Sequence, residues 1–153
     1  MNNPVRIAVV GCGNISDIYF QNLSRFHTVD VIACADLDLA RAQATASKYG
    51  LPKSGSLEDV LHDSNVELIL NLTTPEAHAS VALAALEAGK HVYNEKPLAL
   101  ALEDARRMLE LAKVLDLRVG AAPDTFLGGG LQTCRQLIDD GAIGTPEIGR
   151  AHV

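Results

Sequence analysis

An almost unbroken apolar run, Val5-Arg6-Ile7-Ala8-Val9-Val10, ends directly on Gly11-Cys12-Gly13. Nothing else in the chain restricts its fold as strongly. A strand with one wet face alternates apolar and polar residues, whereas a strand covered on both faces reads as continuous apolar sequence. The run therefore predicts a central strand of a parallel sheet. Glycines placed directly after it predict a tight turn into a helix. Ile15, Ile18, Tyr19, Leu23 and Phe26 then supply an apolar stripe at helical spacing.

The same alternation runs down the chain. Val29 to Ala35 predicts a second strand, and Leu39 to Tyr49 a helix that stops at Gly50 and Pro52. Leu57 to Leu61 reads as a short helix and Val66 to Leu72 as another apolar strand. Thr74-Pro75 opens a further helix, since threonine suits the cap and proline the first turn, and an alanine-rich stretch carries it to Gly89. His91 to Tyr93 is a short strand. Ala105, Met108, Leu109 and Ala112 mark a helical face, and Arg118 to Ala122 the next strand. Leu131, Cys134, Leu137 and Ile138 form a last helical stripe that ends at Gly141. Strands alternating with helices specify the α/β class: a doubly wound parallel sheet in three layers, α/β/α, the Rossmann fold. Ligands of such sheets bind beyond the carboxyl ends of the strands, where strand order reverses. Functional residues are therefore expected just after strands.

Composition narrows the partners. The length of 153 residues fits one domain, and 48% apolar with 21% charged residues fits a globular chain. A net charge of −6 argues against nonspecific nucleic-acid binding, which needs a basic surface. It does not argue against a small anionic cofactor held by backbone amides. Cys12, Cys34 and Cys134 show no metal-ligand spacing and read as reduced packing residues. Met1-Asn2-Asn3-Pro4 runs straight into the first strand without a signal segment, and no apolar run reaches the length of a membrane span. The expectation is a cytoplasmic protein with neither a metal nor a membrane partner.

The loop Gly11-Cys12-Gly13-Asn14-Ile15-Ser16 has the form of a phosphate loop. Its first glycine permits the turn, and its second lets the backbone approach a pyrophosphate. The following helix N-terminus offers amides and partial positive charge. Gly11, Gly13, Asn14 and Ile15 are thus candidate cofactor-binding residues. Ser16 replaces the third glycine of the usual fingerprint. Such a loop can also be an ordinary strand-to-helix turn. Asp36 strengthens the cofactor reading: it ends the second strand 25 residues after Gly11, near the roughly 20 expected for an acid that binds the ribose hydroxyls. A carboxylate there favours NAD and repels the 2′-phosphate of NADP. The alternative is that Asp36 merely caps the next helix, with Asp38 as rival cap. Arg41 complicates the preference, because a nearby arginine can accommodate a phosphate.

Two later strand ends carry unusual sequence: Thr73-Thr74-Pro75-Glu76-Ala77-His78 and Asn94-Glu95-Lys96-Pro97. With the glycine loop, and with Gly89-Lys90-His91-Val92 leading into Glu95-Lys96-Pro97, they resemble the Gfo/Idh/MocA family of dehydrogenases. The resemblance covers almost the whole chain, including Asp139-Asp140-Gly141-Ala142-Ile143-Gly144, which is similar to the family's exit from this domain. It implies a Rossmann domain followed by an α+β domain, and reversible hydride transfer between a nicotinamide dinucleotide and a hydroxyl carbon, often of a sugar or cyclitol. By the resemblance, Lys96 is catalytic, contacting the substrate hydroxyl beside the nicotinamide. Glu95 helps place the cofactor, and Thr73, Thr74, Pro75 and His78 form the loop beside the dinucleotide. The chemistry of Lys96 is independently reasonable, because an ammonium stabilises a developing alkoxide and can exchange its proton. Against this stand plainer readings: Lys96 as a surface lysine before a proline turn, and His78 as a partly buried polar residue of a helix.

The expected division is a dinucleotide-binding domain at 1–145 and the start of a second domain at 146–153, whose absence exposes an edge and favours a homo-oligomer. After Arg118 to Ala122 the family pattern of an arginine or asparagine is replaced by Pro123-Asp124-Thr125-Phe126, with Asp124 a candidate contact to a polyol or sugar substrate. Two rival functions remain at this stage. One is a non-catalytic dinucleotide-binding or sensing module. The other is a methyltransferase-like domain, which gives Glu95-Lys96-Pro97 no role.

Overall fold

The computed structural model describes residues 3–122 and 127–147. The chain divides into two compact units, Met1–Ala122 and Pro123–Val153. In the first unit, β1 (Val5–Val10), β2 (Val29–Ala35), β3 (Lys53–Gly55), β4 (Leu68–Asn71), β5 (His91–Asn94) and β6 (Val119–Ala121) form one six-stranded sheet in the order β3-β2-β1-β4-β5-β6. All its pairings are parallel. Helices α1 (Ser16–Leu23), α2 (Leu39–Tyr49), α3 (Leu57–His62), α4 (His78–Glu87) and α5 (Leu102–Val114) connect the strands. Strand order reverses between β1 and β4, which neighbour one another although two strands separate them in sequence.

The apolar run does what its pattern predicts. Ile7 and Val9 of β1 join Phe20 of α1 and Ala42 and Ala46 of α2 on one face. Ala8 and Val10 join Val60, Val81, Ala82, Leu86 and Met108, from α3, α4 and α5, on the other. Each face is closed by its own helices, so alternate residues of one strand serve two cores. The pairing of β1 with β2 slips between Ile7 and Ala8, so that Val31 and Ala33 are successive partners.

Local chemistry sets the ends of α2 and α3. Asp38 caps α2 by accepting from the amides of Ala40 and Arg41. Ser56 and Asp59 form a reciprocal capping box on α3. The lysine side chain of Lys90, 7% exposed, is buried through two bonds of 2.8 Å to the carbonyls of Asp63 and Val66.

Four expectations need adjusting. Strand β3 was not expected: Lys53-Ser54-Gly55 has no apolar periodicity and is recruited by backbone pairing with β2. Strand β4 is shorter than Val66 to Leu72, although the amides of Glu67 and Leu72 still bond to Arg6 and Val10 of β1. Thr74 makes no side-chain cap bond, and Pro75–Ala77 is a 3-10 turn that delivers the chain to α4. Cys12 and Cys34 are buried, but Cys134 is exposed.

The second unit contains α6 (Gly129–Asp139), with an Arg135–Asp139 ion pair of 2.7 Å one turn apart. Its chain reverses at Gly141, whose φ is +73°. Asp124 and residues 148–153, on which the expected substrate contact and most of the expected second domain rest, lie outside the described residues. No helix among the described residues is long and apolar enough to cross a membrane, and no group of His, Cys, Asp or Glu among them is placed to hold a metal ion.

Candidate functional site

The turn after β1 is held by contacts that leave no room for a side chain at Gly11. Its φ is +99°, and a Cβ there would lie 2.7 Å from the carbonyl carbon and oxygen of Leu72. Gly13 is the opposite case. Nothing lies within 4 Å of where its Cβ would stand, so the missing side chain leaves open space. A close-packed first glycine and an open second one are what a pyrophosphate cradle requires. Ser16 is buried and returns its hydroxyl to the carbonyl of Gly13 at 2.7 Å. It is thus small enough for the third-glycine position and adds a brace to the loop. Ile15 precedes α1 without any side-chain cap bond; the amide of Ser16 is bonded to the carbonyl of Gly13 at 3.0 Å, and an anion at this helix start would meet the amides beside it.

Asp36 belongs to the same assembly. One carboxylate oxygen accepts from the amide of Cys12 at 2.8 Å, and the other from the amide of Asp38 at 2.9 Å. The side chain is 9% exposed, and Arg41 reaches it at 3.4 Å. The question of which aspartate caps α2 is therefore answered by Asp38. Asp36 instead ties the end of β2 to the phosphate loop.

These residues wall a cavity of about 730 Å³ at the point where strand order reverses. Gly11, Gly13, Asn14, Ile15, Asp36, Thr73 and Thr74 all line it, with Arg41 beside Asp36 and Leu57, Leu72 and Val81 as apolar wall. An acid for hydroxyls, an open glycine turn for phosphates and apolar surface for a ring suit a dinucleotide in donor chemistry and in shape.

Pro75, His78, Glu95 and Lys96 do not line that cavity. His78 is 1% exposed, with its ring nitrogens 2.7 Å from the carbonyl of Pro97 and 3.0 Å from that of Thr73. It stands behind the loop, joining the Thr73 segment to the turn after β5. Asn71 and Asn94, both wholly buried at the ends of β4 and β5, complete this support. Asn71 donates to Asn94 and to the carbonyl of His78, and accepts from the amide and hydroxyl of Thr73. Asn94 donates to the carbonyl of Leu98 at 2.9 Å. The sequence reading assigned neither asparagine a role. Their signal was available, since a polar residue closing a buried strand needs a partner.

Glu95 and Lys96 follow β5 directly. Glu95 is half-buried, its amide bonded to the carbonyl of Asn71. Its carboxylate accepts from the amide of Lys96 at 2.6 Å and from the hydroxyl of Tyr19 at 2.9 Å. Burial, and then the Glu95 carboxylate, push the Tyr19 phenol well above its ordinary range. Lys96 is exposed at the end of this turn.

Known proteins resemble this chain in sequence and in fold. A family described as an oxidoreductase family with an NAD-binding Rossmann fold, Gfo/Idh/MocA, matches residues 5–122. The chain is 35% identical over 144 residues to inositol 2-dehydrogenase 3 of Saccharopolyspora erythraea, covering 93% of this chain and 43% of that protein. A WlbA dehydrogenase from Chromobacterium violaceum, solved with NADH and UDP-GlcNAcA, superposes with a TM-score of 0.84 at 26% identity, over 92% of this chain and 41% of the other. KijD10, a 3-ketoreductase from Actinomadura kijaniata solved with NADP and TDP-benzene, gives 0.86 at 27% identity, over 94% of this chain and 44% of the other.

Proposed function

Since this chain belongs to the Gfo/Idh/MocA oxidoreductase family and carries its NAD(P)-binding Rossmann fold, we propose that it is the cofactor-binding part of a dehydrogenase acting on a hydroxyl carbon of a cyclitol, sugar or related polyol. The chain spans 43% of the length of inositol 2-dehydrogenase 3, one of the curated relatives it matches. The observation that carries the proposal is the cavity at the switch point, with the open glycine turn and Asp36 in one wall.

Each residue has a task that follows from its chemistry. Gly13, Asn14 and Ile15 present backbone amides to the phosphates, and Gly11, whose own amide is bonded to the carbonyl of Ala35, makes the turn that brings the phosphates close. Asp36 accepts the hydroxyls of the adenosine ribose. Thr73, Thr74 and Pro75 pass beside the dinucleotide, and His78 holds their backbone in place. Glu95 places the nicotinamide end. The bound dinucleotide supplies the hydride acceptor or donor. Lys96, in the role of catalytic residue, donates a hydrogen bond to the reacting hydroxyl oxygen, stabilises its negative charge and exchanges its proton.

The cofactor we favour is NAD rather than NADP. Asp36 is the acid nearest the expected ribose, and its charge opposes a 2′-phosphate. Arg41 is already occupied by Asp36 and by Asp38, at 3.4 and 3.5 Å. The test is thermal unfolding of the purified chain with NADH, NADPH or S-adenosylmethionine. A ligand at 100 times its Kd stabilises by about 2.7 kcal/mol. NADH is expected to raise Tm most, NADPH less and S-adenosylmethionine not at all. Asp36→Ser should weaken NADH by about 1.5–3 kcal/mol, the worth of a charged hydrogen bond, and narrow the gap to NADPH. A larger Tm rise with NADPH in the wild-type chain would transfer the preference to Arg41, and no rise with either dinucleotide would end the proposal.

A further inference from the structure

The turn that carries Glu95 and Lys96 is anchored on one side by its own sheet. The amide of Glu95 bonds to the carbonyl of Asn71 on the neighbouring strand. His78 holds the carbonyl of Pro97 further along the turn, and the Glu95 carboxylate itself is reached by the hydroxyl of Tyr19, from α1, across 76 positions of sequence. Tyr19 lies three residues into the helix that the phosphate loop opens. The bond therefore connects the helix expected to face the pyrophosphate with the acid expected to face the nicotinamide end.

The geometry leaves Glu95 with spare capacity. One carboxylate oxygen takes the Tyr19 hydroxyl and the other the amide of Lys96. Each oxygen has two acceptor sites, so each keeps one for a further donor. A carboxylate at the end of a flexible chain has several rotamers, and only a fixed one presents those remaining sites in a constant direction. Two different donors on its two oxygens fix it. Resting on the dinucleotide-binding reading above, we infer that Tyr19 is a positioning residue, whose hydroxyl orients Glu95 so that the carboxylate can accept the hydroxyl or amide donors of the nicotinamide half of the cofactor.

Tyr19 packs with the cluster that includes Phe20 and Tyr49 and is half-buried, so the ring has a packing role as well. The two roles separate in Tyr19→Phe, which keeps the ring and deletes the bond. The probes are NADH, which has both halves of the cofactor, and ADP, which has only the adenosine and pyrophosphate. Both are titrated calorimetrically into the wild-type chain, Tyr19→Phe, Glu95→Ala and the double variant. Tyr19→Phe is expected to weaken NADH by about three- to tenfold, the span of one hydrogen bond to a charged group acting indirectly. ADP should change by less than about twofold, within the error of additivity for distant sites. In the Glu95→Ala background the same substitution should cost NADH nothing further, because a residue that acts through Glu95 has nothing left to orient. Unchanged NADH affinity in Tyr19→Phe overturns the inference. So does an equal loss for NADH and ADP, or full additivity with Glu95→Ala, since each is the mark of a ring that only packs. If the wild-type chain binds neither probe, the dinucleotide-binding reading fails and takes this inference with it. If it binds both and Tyr19→Phe is silent, only the inference fails.

Discussion

The two sides of the switch point hold their polar groups in opposite ways. On the β2 side, Asp36 and Arg41 meet at the cavity wall, where the guanidinium is half exposed and the carboxylate retains room for another donor. On the β4–β5 side, Asn71, Asn94 and His78 are sealed from water, and their polar groups meet one another and the carbonyls of Thr73, Pro97 and Leu98. The first arrangement is suited to receive a ligand, because its groups can exchange partners. The second is suited to hold a loop still, because a buried polar group that loses its partner has no water to replace it. On the proposed function, the contrast separates residues that would meet the cofactor from residues that keep those in place.

That contrast is broken most directly at Asn71. Asn71→Leu keeps similar bulk and strands the amide and hydroxyl of Thr73 and the amide oxygen of Asn94, while the carbonyl of His78 keeps the side-chain amide of Asn94 at 3.4 Å. A loss of about 3–4 kcal/mol in urea unfolding is expected, from several buried groups left unsatisfied. Asp36→Ala should lose only about 1 kcal/mol, since water reaches its former partners. Equal losses in the two variants would abolish the distinction.

Acid should discriminate between the two sides. Asp63 pairs with Lys53 of β3, beyond β2 in the sheet, and Lys53 followed by the amide of Asn65 holds its carboxyl down from 3.8 to about 2. A carboxylate with a depressed folded pKa stabilises fully above its unfolded pKa, and the benefit disappears as pH falls through the folded value. Stability contributed at the β3 edge should therefore decline between about pH 4 and pH 2, a window that follows from this shift. In Asp63→Asn that decline should flatten, as measured by chemical unfolding across the same range. An identical slope in the variant would remove Asp63 from the account.

The smallest effect is expected at Arg41. Its pairs with Asp36 and Asp38 are long and its side chain is half exposed, so Arg41→Ala should change stability by less than about 1 kcal/mol. Its measurable consequence should lie in ligand discrimination, with NADPH losing more affinity than NADH. Equal changes for the two would leave Arg41 without a part in selection.

The legible part of the molecule was the part written in local patterns. β1, β2 and α2 fall on their expected bounds because continuous apolar runs and a well-spaced stripe declare them. That the glycine turn and Asp36 line one cavity was legible because each follows a strand end directly. β3 was not, because Lys53-Ser54-Gly55 is made a strand by its neighbour rather than by its composition. Tyr19 was read as one more member of an apolar helical stripe, and only its partner 76 residues away gives it another meaning. His78 was expected beside the dinucleotide, yet its ring faces two carbonyls behind that loop. Such pairings depend on which strands become neighbours, and no window of sequence contains that information.

The division between Asp36 and Asp38 has a further consequence. Helix α2 takes its side-chain cap from Asp38, so Asp36, proposed to face the ribose, supports that cap only through the amide of Asp38 and does not itself cap the helix. On the proposed reading, a lineage or an engineer that exchanges Asp36 for a small or neutral residue would retune cofactor choice and leave the side-chain cap of α2 in place. Had one aspartate done both tasks, every step toward a new cofactor would have begun by fraying a helix. Separating the tasks over neighbouring positions makes this strand end evolvable.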